Sequence, residues 1–400
     1  MRRDRRFAFW LLFVCLSGTG IGQVMLFAIL PPAAREIGLS PFQVSIIFSV
    51  SATIWLFVSP IWGRRSDVVG RRPIIVVGLL GFALSMICLA TTIGAALAGW
   101  LAVTVAYPLM IVSRSIFALL GSGTGPASQA YVADRTSREE RTAGMALMNA
   151  ALGAGQVVGP AVGAALAIFG LLAPIYFSAG LAVVSAAVIW FLLPEPDVPA
   201  TRDTTRSTRL SFRDRRITPF IVLAIFMQAA RATTVITFAF FLQDMLALSP
   251  TETGQYAGVG FMVLGLASVT AQLVVVQRLR PTASTMIHVG LVASLVSFVL
   301  FNLEGGFGLY LGALGLLGAG LGLLRPGNAA GASLAVTSEE QGAVAGLIGA
   351  IGVVGNIFGP LLGTALYELS PHGPYLLNGA LMAAGLVFSF AHPRLRRVRP

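Results

Sequence analysis

The stretch Glu139–Gly163, EERTAGMALMNAALGAGQVVGPAVG, occurs twice in this chain. Shifted by 200 residues, Glu339–Gly363 reads EEQGAVAGLIGAIGVVGNIFGPLLG, and nine of the 25 positions are identical without a gap. They are both glutamates, Ala143, Leu147, Ala150, Gly155, Gly159, Pro160 and Gly163 with their counterparts. Pro126 and Pro326 keep the same offset, and Leu39-Ser40-Pro41 recurs at an offset of 209 as Leu248-Ser249-Pro250. Two apolar Ala/Gly-rich helices share residues through composition alone. A charged Glu-Glu pair ahead of a G-x-x-x-G-P-x-x-G frame is not such a coincidence. A 400-residue chain that repeats at half its length is a duplication of one unit. In membrane proteins such halves face each other across a site.

Hydrophobic residues make up 56% of the chain and charged residues 11%. About 20 apolar residues span a bilayer, and many such runs are visible, so secreted, fibrous and disordered classes are excluded. Cys15 and Cys88 both lie in apolar runs, and His288, His372 and His392 are scattered without ligand spacing. No disulfide, metal or cofactor is expected. A net charge of +11 would suggest nucleic acid in a soluble protein. Here the cytoplasmic loops of a membrane protein account for it first, so no nucleic-acid partner is expected. The start, RRDRRFAFWLLFVCLSG, has the look of a signal peptide. It continues through TGIGQVMLFAILPP without an A-x-A-type site, and so reads as an uncleaved first span.

The hydropathy pattern predicts an all-α membrane protein of twelve transmembrane helices in two pseudo-symmetric six-helix bundles. The spans are 7–32, 43–63, 73–97, 104–132, 142–168, 172–194, 218–243, 251–276, 283–303, 308–333, 342–367 and 373–392. The bundles are 1–194 and 218–400, joined by a basic cytoplasmic linker, 195–217, that also touches anionic head groups. All basic residues are arginine, and 23 of the 27 fall on one side of this arrangement, with Arg35 alone on the other. The bias predicts a multi-pass protein of a bacterial inner membrane with both termini cytoplasmic.

Between the second and third spans runs Gly63-Arg-Arg-Ser-Asp67-Val-Val-Gly70-Arg71-Arg72-Pro73. The pattern G-x-x-x-D-x-x-G-R-R resembles the signature loop of the major facilitator superfamily. Gly155-Gln-Val-Val-Gly159-Pro160-Ala-Val-Gly163 resembles the antiporter motif of its twelve-span drug–proton antiporters, the group that includes tetracycline exporters. A third resemblance runs from Arg114 to Pro126 and on through Tyr131-Val-Ala-Asp134 to Glu139-Glu140-Arg141. Together they cover essentially all twelve spans and are strongest over 18–165. Two departures stand out: Ala118 replaces the usual glycine four residues after Arg114, and the second-half loop is reduced to Gln277-Arg278-Leu279-Arg280-Pro281.

Each motif has a physical use. Asp67 at a helix end suits a neighbouring helix dipole, and Gly63 lets that neighbour, expected to be span eleven, come close. The resemblance implies a latch between outward- and inward-open states. Glycines at i, i+4 and i+8 leave a smooth stripe for helix packing, and Pro160 permits a bend. The resemblance places this stripe at the interface between the halves. The conformational-switch set is therefore Gly63, Asp67, Gly70, Arg71, Arg72, Gly155, Gly159, Pro160 and Gly163. Gly121-Ser-Gly-Thr-Gly125 lacks the lysine and the strand of a phosphate loop and reads as close helix packing.

Three arginines remain inside spans: Arg114, Arg231 and Arg325. Burying a cation in hydrocarbon costs about 2.5–3.5 kcal/mol on insertion scales, so each needs a cavity or a partner. In the superfamily fold, spans one, four, seven and ten line the cavity, which implies that all three point there. Gln228, Arg231 and Thr234 share a helical face, as do Arg325 and Asn328, and Thr19 with Gln23 forms another. The expected substrate-binding set is Gln23, Arg114, Gln228, Arg231, Arg325 and Asn328. All sixteen acidic residues sit in loops or at span ends. The cavity is then net positive, favouring anionic or zwitterionic cargo over lipophilic cations. Asp67, Asp134 and Asp244 are the proton-coupling candidates, with His288 or the cargo itself as alternatives. The chain reads as a monomeric secondary transporter that exports a small organic molecule with protons as the coupling ion. The alternatives are an importer of an anionic metabolite and, more remotely, a receptor. No convergent catalytic cluster speaks for an enzyme.

Overall fold

The computed structural model describes residues 2–136, 141–195, 211, 214–337 and 340–396. Glu139, Glu140, Glu339 and most of the linker, with Arg202, Arg206, Arg209 and Arg213, lie outside them. The helices are α1 Arg2–Glu36, α2 Pro41–Val69, α3 Arg71–Leu97, α4 Val103–Leu120, α5 Thr124–Asp134, α6 Arg141–Leu166 and α7 Ala173–Leu192. They continue with α8 Thr218–Leu246, α9 Pro250–Thr270, α10 Ala283–Phe301, α11 Phe307–Leu334, α12 Gln341–Leu369, α13 Gly373–Ala391 and the short α14 Pro393–Arg396. Among the described residues there is no strand, and 11 helical segments are long and apolar enough to cross a bilayer. Helices α4 and α5 form one of them across a 3₁₀ turn at Gly121–Gly123, and α6, with a shorter described apolar stretch at Gly153–Phe169, is the twelfth long helix. The all-α, twelve-helix architecture is thus the one its hydropathy foretold.

Local chemistry sets the helix ends. Ser40 caps α2 by accepting the Gln43 N–H at 3.3 Å, while the Gln43 amide oxygen accepts the Ser40 N–H at 2.9 Å. Ser249 and Glu252 make the same reciprocal box at α9, at 3.3 and 3.0 Å. The repeated Leu-Ser-Pro triplet is therefore one capping device used twice. Gly70, at φ +105°, separates α2 from α3 in a backbone region that side chains rarely adopt. Span eight departs from expectation: α9 passes at Ala271–Leu279 into a π-helix, a wider turn than the regular helix read to 276.

The chain divides into two units: Met1–Arg202 with Leu248–Val259, and Asp203–Ala247 with Gly260–Pro400. In the first, α6 lies along α1 and α3 packs on α4 and α7. A β-carbon at Gly155 would stand 2.7 Å from the Ser17 carbonyl oxygen, and one at Gly159 would stand 2.8 Å from that of Ile21. Gly163 faces Met25. The nearest described neighbours of the stripe thus lie in α1 of the same unit, because hydrogen at every fourth position admits a second backbone. Gly123 sits equally tightly against Trp62 and Ile74, as close packing requires.

In the second unit α12 lies along α8 and α10 along α11. Gly355, Gly359 and Gly363 face Gln228, Ala232 and Thr233, so the duplicated stripe again receives the first helix of its half. Aromatic rings cluster within the unit's core: Phe301 stacks on Tyr375 at 4.6 Å, and Phe241 meets Tyr310 edge-on at 4.9 Å. At the mouth of α12, Arg216 bridges Asp214 at 2.7 Å and Glu340 at 2.9 Å. Hydrogen bonds from Arg216, then Thr337, hold the Glu340 carboxyl down at about 2, and those from Arg216 also lower Asp214. The two carboxylates raise the Arg216 guanidinium in return.

Candidate functional site

The Gly63–Arg72 loop closes around one buried guanidinium. Arg71 is 2% exposed, and it forms ion pairs with Asp67 at 2.5 Å and Asp134 at 2.9 Å. Its Nη1 donates to Ser66 Oγ at 2.6 Å, and that hydroxyl donates to the Gly63 carbonyl at 2.7 Å. Two carboxylates and a hydroxyl answer one cation, which is what a buried charge demands. Asp67 and Asp134, read from sequence as proton carriers, are thereby brought together on Arg71. The nearest described atom to a β-carbon at Gly63 is Cβ of Pro126 in α5, at 3.5 Å.

A residue not foreseen completes this network. Glu195, just past α7, accepts the backbone N–H of Arg71 at 2.5 Å and of Arg72 at 3.0 Å. Its carboxylate caps the positive end of α3. A β-carbon at Gly70 would fall 2.8 Å from Glu195 Oε1, so glycine is required there twice over. Arg72 lies over the Trp190 ring at 5.0 Å and donates to the Leu193 carbonyl, while Tyr131 donates to the Pro194 carbonyl at 2.8 Å. The end of α7, where the linker begins, is thus tied to the loop and to α5. Among sequence signals, only the Pro194-Glu195-Pro196 break hinted at it, and nothing in the spacing joins positions 124 residues apart.

Arg114 in α4 is 4% exposed. Its Nη2 reaches the Gln23 amide oxygen of α1 at 3.4 Å, and the guanidinium lies 5.6 Å from the Phe48 ring and 5.1 Å from that of Phe117. Nε and Nη1 have no hydrogen-bond partner, nor does the Thr19 hydroxyl. The second unit holds the other two arginines. Half-buried Arg231 of α8 donates from Nη2 to the Asn356 amide oxygen of α12 at 3.0 Å, and Arg325 of α11 is exposed. Among the described residues, no ion pair reaches Arg114, Arg231 or Arg325.

Other expected partners go elsewhere. Asn328 is buried and donates to the Phe220 carbonyl at 3.0 Å, so it ties α11 to α8 rather than standing beside Arg325. Thr234 is fully buried, donates to the Ala230 carbonyl and receives Asn378 at 3.3 Å, away from Arg231. Gln228 packs with its amide nitrogen toward Gly352 and its Cβ toward Gly355, and its amide oxygen has no described hydrogen-bond partner. Asp244 accepts the Tyr367 hydroxyl at 2.5 Å. His288 stacks on Phe390 at 4.2 Å with Ser284 at 3.4 Å. Asn356 was missed, although the repeat held the signal: Gly155-Gln156 and Gly355-Asn356 each place an amide after the first glycine of the stripe.

The sequence pattern of the Major Facilitator Superfamily matches residues 12–301. Over 386 residues the chain is 27% identical to "Multidrug resistance protein 2" of Bacillus subtilis (strain 168), covering 94% of this chain and 91% of that protein. It is 28% identical over 403 residues to "Tetracycline resistance protein, class C" of Escherichia coli, covering 96% and 94%. The fold is shared with the crystal structure of the human organic anion transporter MFSD10 (TETRAN), at TM-score 0.65 and 19% identity over 96% of this chain and 99% of that one.

Proposed function

The chain belongs to the major facilitator superfamily, and from that premise we propose that it exports a small anionic or zwitterionic organic molecule by alternating access, driven by protons. The superfamily makes it a multi-pass membrane transporter and not an enzyme. The names of its multidrug and tetracycline resistance relatives support export. The observation that carries the cargo class is the set of three intramembrane arginines, with no described carboxylate paired to them: Arg114 meets an amide and two rings, Arg231 meets an amide, and Arg325 is exposed. A cation entering such surroundings is repelled, whereas an anion gains a charge-assisted partner. In this reading Gln23 and Arg114 serve the cargo in one unit, and Gln228, Arg231, Arg325 and Asn356 serve it in the other. Asn328 holds α8 and α11 in place.

Gly63, Asp67, Gly70, Arg71 and Arg72 act as the conformational latch, and Gly155, Gly159, Pro160 and Gly163 keep α6 close to α1. Protons are carried by Asp134, Asp67 or Asp244, each held by an arginine or tyrosine partner and able to take up a proton once rearrangement frees it. The protein works as a monomer in a bacterial inner membrane, with its arginine-rich segments and both termini in the cytoplasm. Transport by purified protein in proteoliposomes tests the proposal, using anionic and cationic compounds with and without a pH gradient. Arg231→Ala abolishes transport of the anionic cargo while expression is unchanged. Uptake unaffected by that substitution, or cation transport alone, refutes the cargo class.

A further inference from the structure

The surroundings of Arg114 narrow the cargo class. Five N–H donors of a guanidinium lie in a planar fork that matches a carboxylate. Here Nε and Nη1 donate to nothing, and the bond from Nη2 to Gln23, at 3.4 Å, is longer than the ordinary range of about 2.7–3.2 Å. Gln23 is therefore a weak, exchangeable acceptor for a buried cation. Aromatic rings lie beside the guanidinium. Phe48 and Phe117 flank the guanidinium, Phe27 stacks on Phe48 at 4.7 Å and 19°, and Trp55 lies 5.1 Å from Phe117. Phe48 and Phe117 are 6% and 5% exposed, whereas Thr19, Gln23, Phe27 and Trp55 keep part of their surface accessible. The charge is buried, while Gln23, Phe27 and Trp55 are only partly so.

We propose that Arg114 is the carboxylate anchor of a site for planar aromatic monoacids. The ligand's carboxylate takes the place of Gln23 on the guanidinium fork, and its ring lies against Phe27 and Trp55. One guanidinium neutralises one negative charge, so a dianion would leave a charge unpaired among apolar rings. Offset stacking on phenyl and indole faces favours an aromatic ligand over an aliphatic one of equal volume. This rests on the anionic cargo reading and assigns that cargo its shape.

The test is calorimetric titration of 2-naphthoate into the purified, detergent-solubilised full chain. Saturable binding is expected, weakened about tenfold or more by Arg114→Gln, with Arg114→Lys in between because charge survives and the fork does not. On the unaltered protein, 2-naphthalenemethanol, 2-naphthylmethylammonium and cyclohexanecarboxylate each bind more weakly than naphthoate. These arms keep the proposal exposed even where Arg114→Gln fails to fold. Equal affinity for the ammonium compound or the aliphatic acid overturns it, as does naphthoate binding unchanged in both Arg114 variants. If anionic compounds are transported while naphthoate binding ignores Arg114, this placement fails and the cargo class stands. If no anion is bound or transported, both fall.

Discussion

Replacing Gly155 by alanine asks how closely α1 and α6 must approach. A β-carbon at Gly155 would lie 2.7 Å from the Ser17 carbonyl oxygen and 2.9 Å from both Cα and the carbonyl carbon of Gly20. Comfortable separations between carbon atoms are about 3.5–4.0 Å. All three obstructing atoms are backbone, so no rotamer change relieves them, and the helices must part or tilt. Overpacking of this kind costs about 1–3 kcal/mol. Alanine also favours helix over glycine by about 1 kcal/mol, which would mask part of the loss. Gly153, two residues earlier on the same helix, supplies the control, since a β-carbon there meets no described atom within 4 Å. Gly153→Ala gains the propensity without the clash, so the difference between the two variants isolates the packing cost. Thermal unfolding of the purified full chain should place Gly155→Ala below Gly153→Ala by about 1–3 kcal/mol, with transport falling in parallel. Equal melting of the two variants would refute the claim that backbone contact along the stripe holds α1 to α6.

Asp134→Asn removes one partner of a guanidinium that is 2% exposed. Because Asp67 remains on Arg71, the loss should lie near the lower end of the range for a broken buried pair, about 3 kcal/mol in thermal unfolding. Asp67→Asn leaves the more buried Arg71–Asp134 pair intact, so it should slow conformational exchange, followed by site-directed fluorescence, more than it weakens cargo binding. Glu340 carries a depressed pKa, about 2 in the folded chain against 4.5 as the ordinary value. Its contribution to stability is therefore complete above pH 4.5 and is lost as the pH falls toward 2. Melting temperature measured across that window should decline less steeply in Glu340→Gln than in the unaltered chain.

What sequence could and could not foretell follows from the range of each interaction. Helices and their ends depend on residues within a few positions of one another. Apolar run lengths therefore located the spans, and the Leu-Ser-Pro echo resolved into two capping boxes. The glycine stripe likewise declared itself as a close-packing surface, although its period does not name the partner, which is α1 in one unit and α8 in the other. Contacts between distant segments carry no such period. Glu195 reaches the α3 N-terminus across 124 residues, and Asn328 turns to a backbone carbonyl on α8 although helical spacing sets it beside Arg325. The π-helical end of α9 was hidden for another reason, since composition does not distinguish the wider turn of AQLVVVQRL from a regular helical one.

The duplication itself shows where selection held the two units alike and where it let them part. Backbone packing is kept: glycines of α6 meet α1 as those of α12 meet α8. The guanidinium–amide pairs are not kept. In the first unit the arginine comes from α4 and the amide from α1, while in the second the arginine comes from α8 and the amide from α12. Helix packing alone would not need arginine in either place. Packing is thus common to both units, while the arginine–amide pairing is built separately in each.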